Sequence, residues 1–152
     1  MTIRVGIIGR NFVVDWLRAA MEQVPELRPA AIYSRSAETG REFAEKYHLD
    51  AVYTDLEAFA AADTFDAAYI ASPNRCHFEQ ALCLLRHGKH VLLEKPVDVS
   101  TAEARAPVRA ADESGRAFGA MCNVRTIPVY RRMKEIVDSG EMGGIRRTSM
   151  IV

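Results

Sequence analysis

A glycine-bearing turn near the start of the chain has the residue types that bind a phosphate. A strand-like segment, Ile3–Ile8, ends at Gly9, and a helical pattern begins at Phe12. A helix N-terminus presents free backbone N–H groups and the positive end of its dipole to an anion. The turn departs from the fingerprint G-x-G-x-x-G, because Asn11 and Val14 replace its second and third glycines. Asn can replace a glycine because it tolerates positive φ, whereas Val should hold the helix farther from the strand. Taken alone, this turn is therefore equally typical of a dinucleotide site and of a turn without a ligand.

A hydroxyl and a guanidinium follow the second strand-like segment, residues 30–34. NAD-binding domains usually place Asp or Glu about 20 residues after the glycines, where it binds the ribose 2′-hydroxyl. No acidic residue lies between Leu27 and Ala37, and Ser34 and Arg35 stand there instead. Arginine makes forked, charge-assisted contacts to phosphate. The sequence therefore predicts NADP in preference to NAD, and the alternative is that Arg35 is an exposed residue at the start of the next helix.

Strand-like and helical segments alternate along the chain, which predicts βαβ units and a Rossmann-type, doubly wound parallel sheet of the α/β class. Such sheets bind ligands beyond the carboxyl ends of their strands. Pro107 should kink or divide the helix that contains it. The predicted strands are 3–8, 30–34, 66–71, 90–93 and 117–122, and the predicted helices are 12–24, 37–47, 74–87, 101–114 and 128–139, with a short strand end and a small helix within 53–62.

Composition excludes several other classes of protein. The 152 residues include 20 basic and 20 acidic side chains, and a net charge of zero argues against a nucleic-acid binder. Cys76, Cys83 and Cys122 form no C-x-x-C pair, and with scattered histidines they predict reduced thiols and no metal site. The sequence contains no signal-peptide pattern and no apolar run near the roughly 20 residues that span a bilayer. These features predict a soluble, cytoplasmic protein.

Four later segments carry more specific motifs. They read S-P-N-R-C-H at residues 72–77, G-K-H-V-L-L-E-K-P at 88–96, N-V-R-T-I-P at 123–128 and G-E-M-G-G-I-R at 140–146. This succession resembles the Gfo/Idh/MocA family of nicotinamide-dependent oxidoreductases over essentially the whole chain. The resemblance implies a Rossmann domain at 1–123. It also implies that 124–152 form a linking helix and the first strand, from Ile145, of a second, substrate-binding domain, so that the chain is a piece of a longer protein.

The resemblance also implies roles for individual residues. Hydride would pass between NAD(P) and a sugar, cyclitol or diol-like substrate, with Lys95 as the catalytic residue and a cis peptide bond before Pro96. A lysine ammonium suits this role because it can hydrogen-bond the oxygen on which charge develops. Arg125 could reach the substrate or pair with an acid. The implied cofactor contacts are Gly9, Arg10, Asn11 and Phe12 at the pyrophosphate, Ser34 and Arg35 at the adenosine ribose, Ser72, Pro73, Asn74 and His77 along the cofactor, Glu94 at the nicotinamide-side ribose, and Asn123 near the nicotinamide.

Alternatives stay open at this stage. His77 could be a helix-start residue with only a local hydrogen bond. The domain could be a noncatalytic NAD(P) sensor or regulatory module, which the replacement of a glycine by Asn11 favours. A methyltransferase is disfavoured by the segment at 94–96 and by the basic end of the second strand. The expected partners are a nicotinamide dinucleotide, a small polyol and further copies of the chain, without nucleic acid or membrane, and the chain alone is expected to be inactive.

Overall fold

The computed structural model describes residues 2–97 and 101–149. Its six strands form one sheet in the order β3–β2–β1–β4–β5–β6, and every neighbouring pair is parallel. This confirms the predicted Rossmann-type α/β fold. The strands are β1 (Ile3–Ile8), β2 (Leu27–Tyr33), β3 (Ala51–Tyr53), β4 (Ala67–Ile70), β5 (His90–Leu93) and β6 (Phe118–Ala120), and the helices are α1 (Phe12–Met21), α2 (Ala37–Tyr47), α3 (Leu56–Ala61), α4 (His77–Arg86), α5 (Thr101–Ser114) and α6 (Pro128–Asp138).

The core consists of two apolar clusters, and successive residues of a central strand contribute to different clusters. Ile7 packs in one cluster with Val14 of α1 and Tyr47 of α2, whereas Ile8 packs in the other with residues of α3, α4 and α5. This alternation follows from the pleat of a strand, which directs successive side chains to opposite faces of the sheet. Both faces of β1 are therefore covered, as a parallel sheet requires.

β2 begins at Leu27, three residues before the predicted start, because the strand includes Pro29 instead of starting after it. Pro29 lies beside the point where the register of β1 against β2 shifts, between Val5 and Gly6. The other neighbour, β3, pairs with β2 only from Ala31 onwards. The missing N–H of the proline therefore falls outside the β2–β3 ladder, at an irregularity where a strand tolerates proline.

Helix α5 is also continuous where the sequence predicts a possible division. Pro107 lies inside the single helix Thr101–Ser114, so the helix is not divided. The sequence also predicts Ser100 as the N-cap of this helix, and that residue lies outside the described residues. No helix in the described part of the chain is long and apolar enough to cross a membrane.

The chain separates into two compact units, Met1–Met121 and Cys122–Val152. The first unit contains the whole sheet. The second contains α6, preceded by a short 3₁₀ helix at Asn123–Arg125. Residues 145–149 form neither helix nor strand, and 150–152 lie outside the described residues, so the strand expected from Ile145 stays a prediction, as does the assignment of this unit to a substrate domain.

A forked ion pair joins β1 to the residue that precedes β4. The Arg4 guanidinium donates through Nη2 to Asp66 Oδ1 at 2.7 Å and through Nε to Oδ2 at 3.1 Å. These hydrogen bonds lower the pKa of Asp66 to about 2, against a usual value of 3.8. The pair lies near the amino ends of the central strands, so it stabilises the sheet away from the edge where a Rossmann-type sheet binds its ligand.

Replacing Asp66 with Asn should lower the free energy of unfolding at pH 7 by about 1 kcal/mol, the scale of a partly exposed ion pair. Because the folded-state pKa is depressed, this contribution is present above about pH 4 and is lost as the pH falls towards 2. Urea denaturation between pH 7 and pH 2.5 should therefore show a gap between the two proteins that shrinks on acidification. A difference in unfolding free energy that stays constant with pH would contradict the assigned ion pair. Asp50→Asn, which removes an exposed ion pair with Arg28, serves as the control.

Candidate functional site

A cleft of about 1110 Å³ opens at the carboxyl ends of β1, β2 and β4. The strand order reverses between β1 and β4, so the cleft lies where open α/β sheets bind their ligands. Its volume exceeds the roughly 300–1,000 Å³ typical of pockets for drug-sized molecules, which suits an extended ligand. Eight of the residues predicted to bind the cofactor line it, namely Gly9, Arg10, Asn11, Ser34, Arg35, Ser72, Pro73 and Asn74.

The loops after β1 and β4 touch at Gly9. This residue has φ +118°, and a Cβ at this position would lie 2.4 Å from the carbonyl oxygen of Ala71. Both the backbone conformation and the space therefore require glycine. Because no side chain separates the two loops, α1 begins directly beside the end of β4.

Asn11 has a different role from the one expected for a substituted glycine. Its φ is −82°, so it does not use the positive φ that Asn tolerates, and it is the N-cap of α1. Its Oδ1 accepts the backbone N–H of Val13 at 3.1 Å, and its Nδ2 donates to the Ala71 carbonyl at 3.0 Å. One side chain thus satisfies a free N–H of the helix and ties the start of α1 to the loop after β4. Val14 is fully buried in the core below this turn.

The charges of the cleft fit a dinucleotide. Arg10, Arg35 and Arg75 line it and are exposed, whereas Glu79 is the acidic residue among its lining. None of the three arginines lies within ion-pair distance of a carboxylate in the described part of the chain. Guanidinium groups without a carboxylate partner, near a helix N-terminus, match the negative charge of a dinucleotide's phosphates. Arg75 was not singled out from the sequence, although it stands inside the S-P-N-R-C-H motif.

Ser34 and Arg35 have separate roles at the end of β2. Ser34 is only 7% exposed, and its hydroxyl donates to the carbonyl of Ser36 at 2.9 Å and lies 3.2 Å from Oγ1 of Thr39. The hydroxyl therefore holds the turn into α2. Arg35 is exposed beside it, which leaves its guanidinium as the group that can meet a phosphate at this end of the cleft.

His77 is buried and links two loops of the site. It is 1% exposed, and its Nδ1 and Nε2 lie 2.8 Å and 2.9 Å from the carbonyl oxygens of Pro96 and Ser72. Each ring nitrogen thus lies within hydrogen-bond distance of a backbone carbonyl oxygen. Both nitrogens therefore face protein, and the geometry does not support the predicted direct contact of His77 with a cofactor. The alternative of a purely local hydrogen bond is also incomplete, because one of the two bonds reaches the loop after β5.

Glu94 and Lys95 follow β5, and a buried tyrosine of β4 supports the first of them. The hydroxyl of Tyr69 donates to Glu94 Oε1 at 2.6 Å, and burial of Tyr69 raises the pKa of its phenol, so the group stays a donor. Tyr69 was not identified from the sequence, where the one available signal is a polar group inside an apolar strand. Lys95 is exposed, and its peptide bond to Pro96 is cis, as the family resemblance implied.

Three residues of the predicted site remain to be described, namely Phe12, Asn123 and Arg125. Phe12 begins α1, is 63% exposed and makes an edge-to-face contact with Trp16 at 4.9 Å between ring centroids. Asn123 and Arg125 belong to the second unit, where both are exposed in a short 3₁₀ helix. Their predicted contacts with the nicotinamide and the substrate stay predictions.

A parallel sheet with this strand order and a cationic cleft at its reversal point defines a dinucleotide-binding domain. Residues 3–122 match the family model GFO_IDH_MocA, described as an oxidoreductase family with an NAD-binding Rossmann fold. The chain therefore belongs to this family and carries its nicotinamide-dinucleotide-binding fold.

Individual relatives share this domain. The chain is 38% identical over 145 residues to scyllo-inositol 2-dehydrogenase (NADP(+)) IolU of Bacillus subtilis, covering 95% of this chain and 44% of that protein. It is 32% identical to 1,5-anhydro-D-fructose reductase of Ensifer adhaerens, with coverages of 93% and 41%. The crystal structure of an NAD binding oxidoreductase from Klebsiella pneumoniae superposes with a TM-score of 0.80 at 26% identity, covering 94% of this chain and 40% of that one. The chain thus spans less than half the length of these relatives.

Replacing Asn11 with Ala should lower the free energy of unfolding by about 1 kcal/mol or more, because the cap of α1 and the bond to Ala71 are lost together. Replacing it with Ser keeps a capping oxygen but removes the amide donor to the Ala71 carbonyl. The free energy of unfolding of the Ser variant should therefore lie between those of the unaltered chain and the Ala variant. Urea denaturation of the three proteins measures this order. A Ser variant as unstable as the Ala variant would show that the cap contributes nothing.

Proposed function

We propose that this chain is the cofactor-binding part of a dehydrogenase or reductase that transfers hydride between NADP and a sugar, cyclitol or diol-like substrate. The observation that carries the proposal is the cleft at the carboxyl ends of β1, β2 and β4, with an unengaged arginine at each of three loops. Relatives named as a scyllo-inositol dehydrogenase and an anhydrofructose reductase support the substrate class. The activity is proposed for the whole protein, because the chain aligns with less than half of those relatives.

The preference for NADP rests on the end of β2. Arg35 is exposed beside the cleft, and the turn contains no carboxylate that would bind a free 2′-hydroxyl or repel a 2′-phosphate. The names of the relatives do not decide between the two cofactors, since one relative is called an NADP(+) enzyme and one solved structure is called an NAD binding oxidoreductase. The local chemistry of Arg35 is therefore the stronger argument.

The loop after β5 supplies the groups proposed for catalysis. A bound nicotinamide would supply the hydride chemistry, which the side chains of this chain do not provide. Lys95 hydrogen-bonds the substrate oxygen, gives it a proton when a carbonyl is reduced, and takes the proton back when an alcohol is oxidised. Glu94, held by the Tyr69 hydroxyl, presents its second carboxylate oxygen to a ribose hydroxyl. His77 fixes the carbonyl of Pro96 and so positions the residue that follows Lys95.

A noncatalytic sensor is the second candidate, and the feature that favoured it has another explanation. Asn11 replaces a glycine of the fingerprint, but it caps α1 and holds Ala71. The substitution is therefore compatible with a working dinucleotide turn and does not by itself indicate a lost cofactor.

Replacing Arg35 with Ala should remove most of a preference for NADPH over NADH. Loss of a charge-assisted phosphate contact of about 1.5 kcal/mol or more corresponds to at least tenfold weaker NADPH binding, while NADH binding should change less than twofold. Fluorescence titration of the 152-residue chain measures both affinities.

Two control variants sharpen this test. Arg10→Ala should weaken both cofactors alike, because the pyrophosphate is common to them. Arg109→Ala, at an exposed arginine of α5 outside the cleft, should change neither. Equal affinities of the unaltered chain for NADPH and NADH would overturn the NADP preference, and binding of neither would overturn the dinucleotide site.

Replacing Lys95 with Met in the whole protein should lower kcat for oxidation of a cyclitol with NADP at least 100-fold, the usual scale for loss of a proton-transferring group. Affinity for NADPH should stay within twofold, since Lys95 is not among the residues that line the cleft. Steady-state kinetics and a binding titration separate the two effects. The 152-residue chain alone should show no turnover, and Lys95-dependent oxidation by it would contradict the need for further residues.

A further inference from the structure

A second group of reactive side chains lies between α3 and α4, and none of its members lines the cofactor cleft. Glu57 stands in the first turn of α3, Cys83 lies within α4, and His87 follows the last residue of α4. One ligand atom from each residue can be chosen so that all three atoms lie within 4.8 Å of one another. The dinucleotide site gives this group no task.

The contacts of His87 determine which of its nitrogens faces Glu57. Nδ1 lies 3.0 Å from the carbonyl oxygen of Cys83, one helical turn earlier, and a carbonyl can only accept. Nδ1 is turned to that carbonyl, and Nε2 faces Glu57 Oε2 at 3.4 Å. A metal-binding histidine commonly donates its second ring N–H to a backbone carbonyl in this way.

Three possible ligand atoms therefore converge. The sulfur of Cys83 lies 3.5 Å from Glu57 Oε1, and Nε2 of His87 lies 3.4 Å from Oε2. Around a tetrahedral zinc ion, with Zn–S near 2.3 Å and Zn–N and Zn–O near 2.0 Å, ligand atoms are separated by about 3.3–3.5 Å. The two spacings, each to a different oxygen of Glu57, are close to these separations. The Glu57 side chain is 72% exposed, so it has room to turn one oxygen towards an ion.

We propose that Glu57, Cys83 and His87 form a Zn²⁺ site that clips α3 to α4, with solvent at the fourth position. Sulfur, imidazole and carboxylate together suit zinc better than the hard cations Mg²⁺ and Ca²⁺, which prefer oxygen ligands. This departs from the sequence prediction of no metal site, which considered only the spacing of Cys and His. Glu57 lies 26 residues before Cys83 and joins them only through the tertiary structure.

A reactive cysteine is the competing role for this group, and the surroundings of Cys83 oppose it. Cys83 is only 9% exposed, and its sulfur lies 3.5 Å from a carboxylate oxygen of Glu57. A nucleophilic cysteine needs the opposite environment, one that favours the thiolate. A bound cation reverses the effect of the neighbouring carboxylate and makes the sulfur a ligand.

Titration of the 152-residue chain with Co²⁺ as a spectroscopic substitute, followed by competition with Zn²⁺, tests the site. One equivalent should produce thiolate-to-cobalt charge-transfer absorption, and Zn²⁺ should abolish it. Glu57→Gln and His87→Gln should each weaken metal binding at least tenfold, and Cys83→Ser should remove the absorption. Cys122→Ser, at an exposed cysteine of the second unit, should behave like the unaltered chain.

The metal titration can fail or succeed independently of the test of the cofactor site. Because Cys83 is buried, its variant could fail to fold, and the variants at the more exposed Glu57 and His87 then decide. Absence of the absorption in the unaltered chain, its survival in a folded Cys83→Ser protein, or equal affinity in all three ligand variants would overturn the proposal. NADPH binding measured with and without Zn²⁺ should agree within twofold, so failure of one site leaves the other testable.

Discussion

The carbonyl group of Ala71 is the point on which the site depends. Its oxygen accepts the amide of Asn11, and the lack of a side chain at Gly9 lets the loop after β1 pass beside it. The N–H of the same residue donates to the Ile8 carbonyl at 2.7 Å, which continues the β1–β4 ladder to its last rung. A larger residue at Gly9 would force these loops apart, and the start of α1 would move away from the reversal point of the sheet. The direction in which α1 presents its N–H groups follows from this contact.

Groups that hold the site and groups that can meet a ligand are different residues. Tyr69 and His77 are buried, and their polar atoms contact Glu94 and the loops at Pro96 and Ser72. Arg35 and Lys95 are exposed at the ends of β2 and β5. Buried polar groups that are satisfied rigidify their neighbours, and exposed charges keep the freedom to bind and release a ligand. This division explains how a rigid sheet edge carries side chains that still exchange ligands.

The fold was predictable from the sequence because it depends on local patterns. Apolar runs such as Ile3–Ile8 and caps such as Ser36 and Asp55, whose side chains accept helix N–H groups, are visible without any tertiary contact. Roles set by residues distant in sequence were not predictable. Asn11 depends on Ala71, sixty residues away, and His77 depends on the loop at Pro96. The sequence did not predict the start of β2 correctly. Whether Pro29 interrupts the strand depends on whether a neighbouring strand needs a backbone N–H at that position, which the sequence does not show.

Helix α4 connects the two sites described in the first unit. Its first residue is His77, and His87 follows its last turn, so about 15 Å of helix separates the ends at 1.5 Å per residue. A cation bound at the far end would restrain α3 against α4. It is not expected to reorient His77, because that ring already lies 2.8 Å and 2.9 Å from two carbonyl oxygens. Metal binding at this position should therefore stabilise the domain without changing how the cleft receives a dinucleotide.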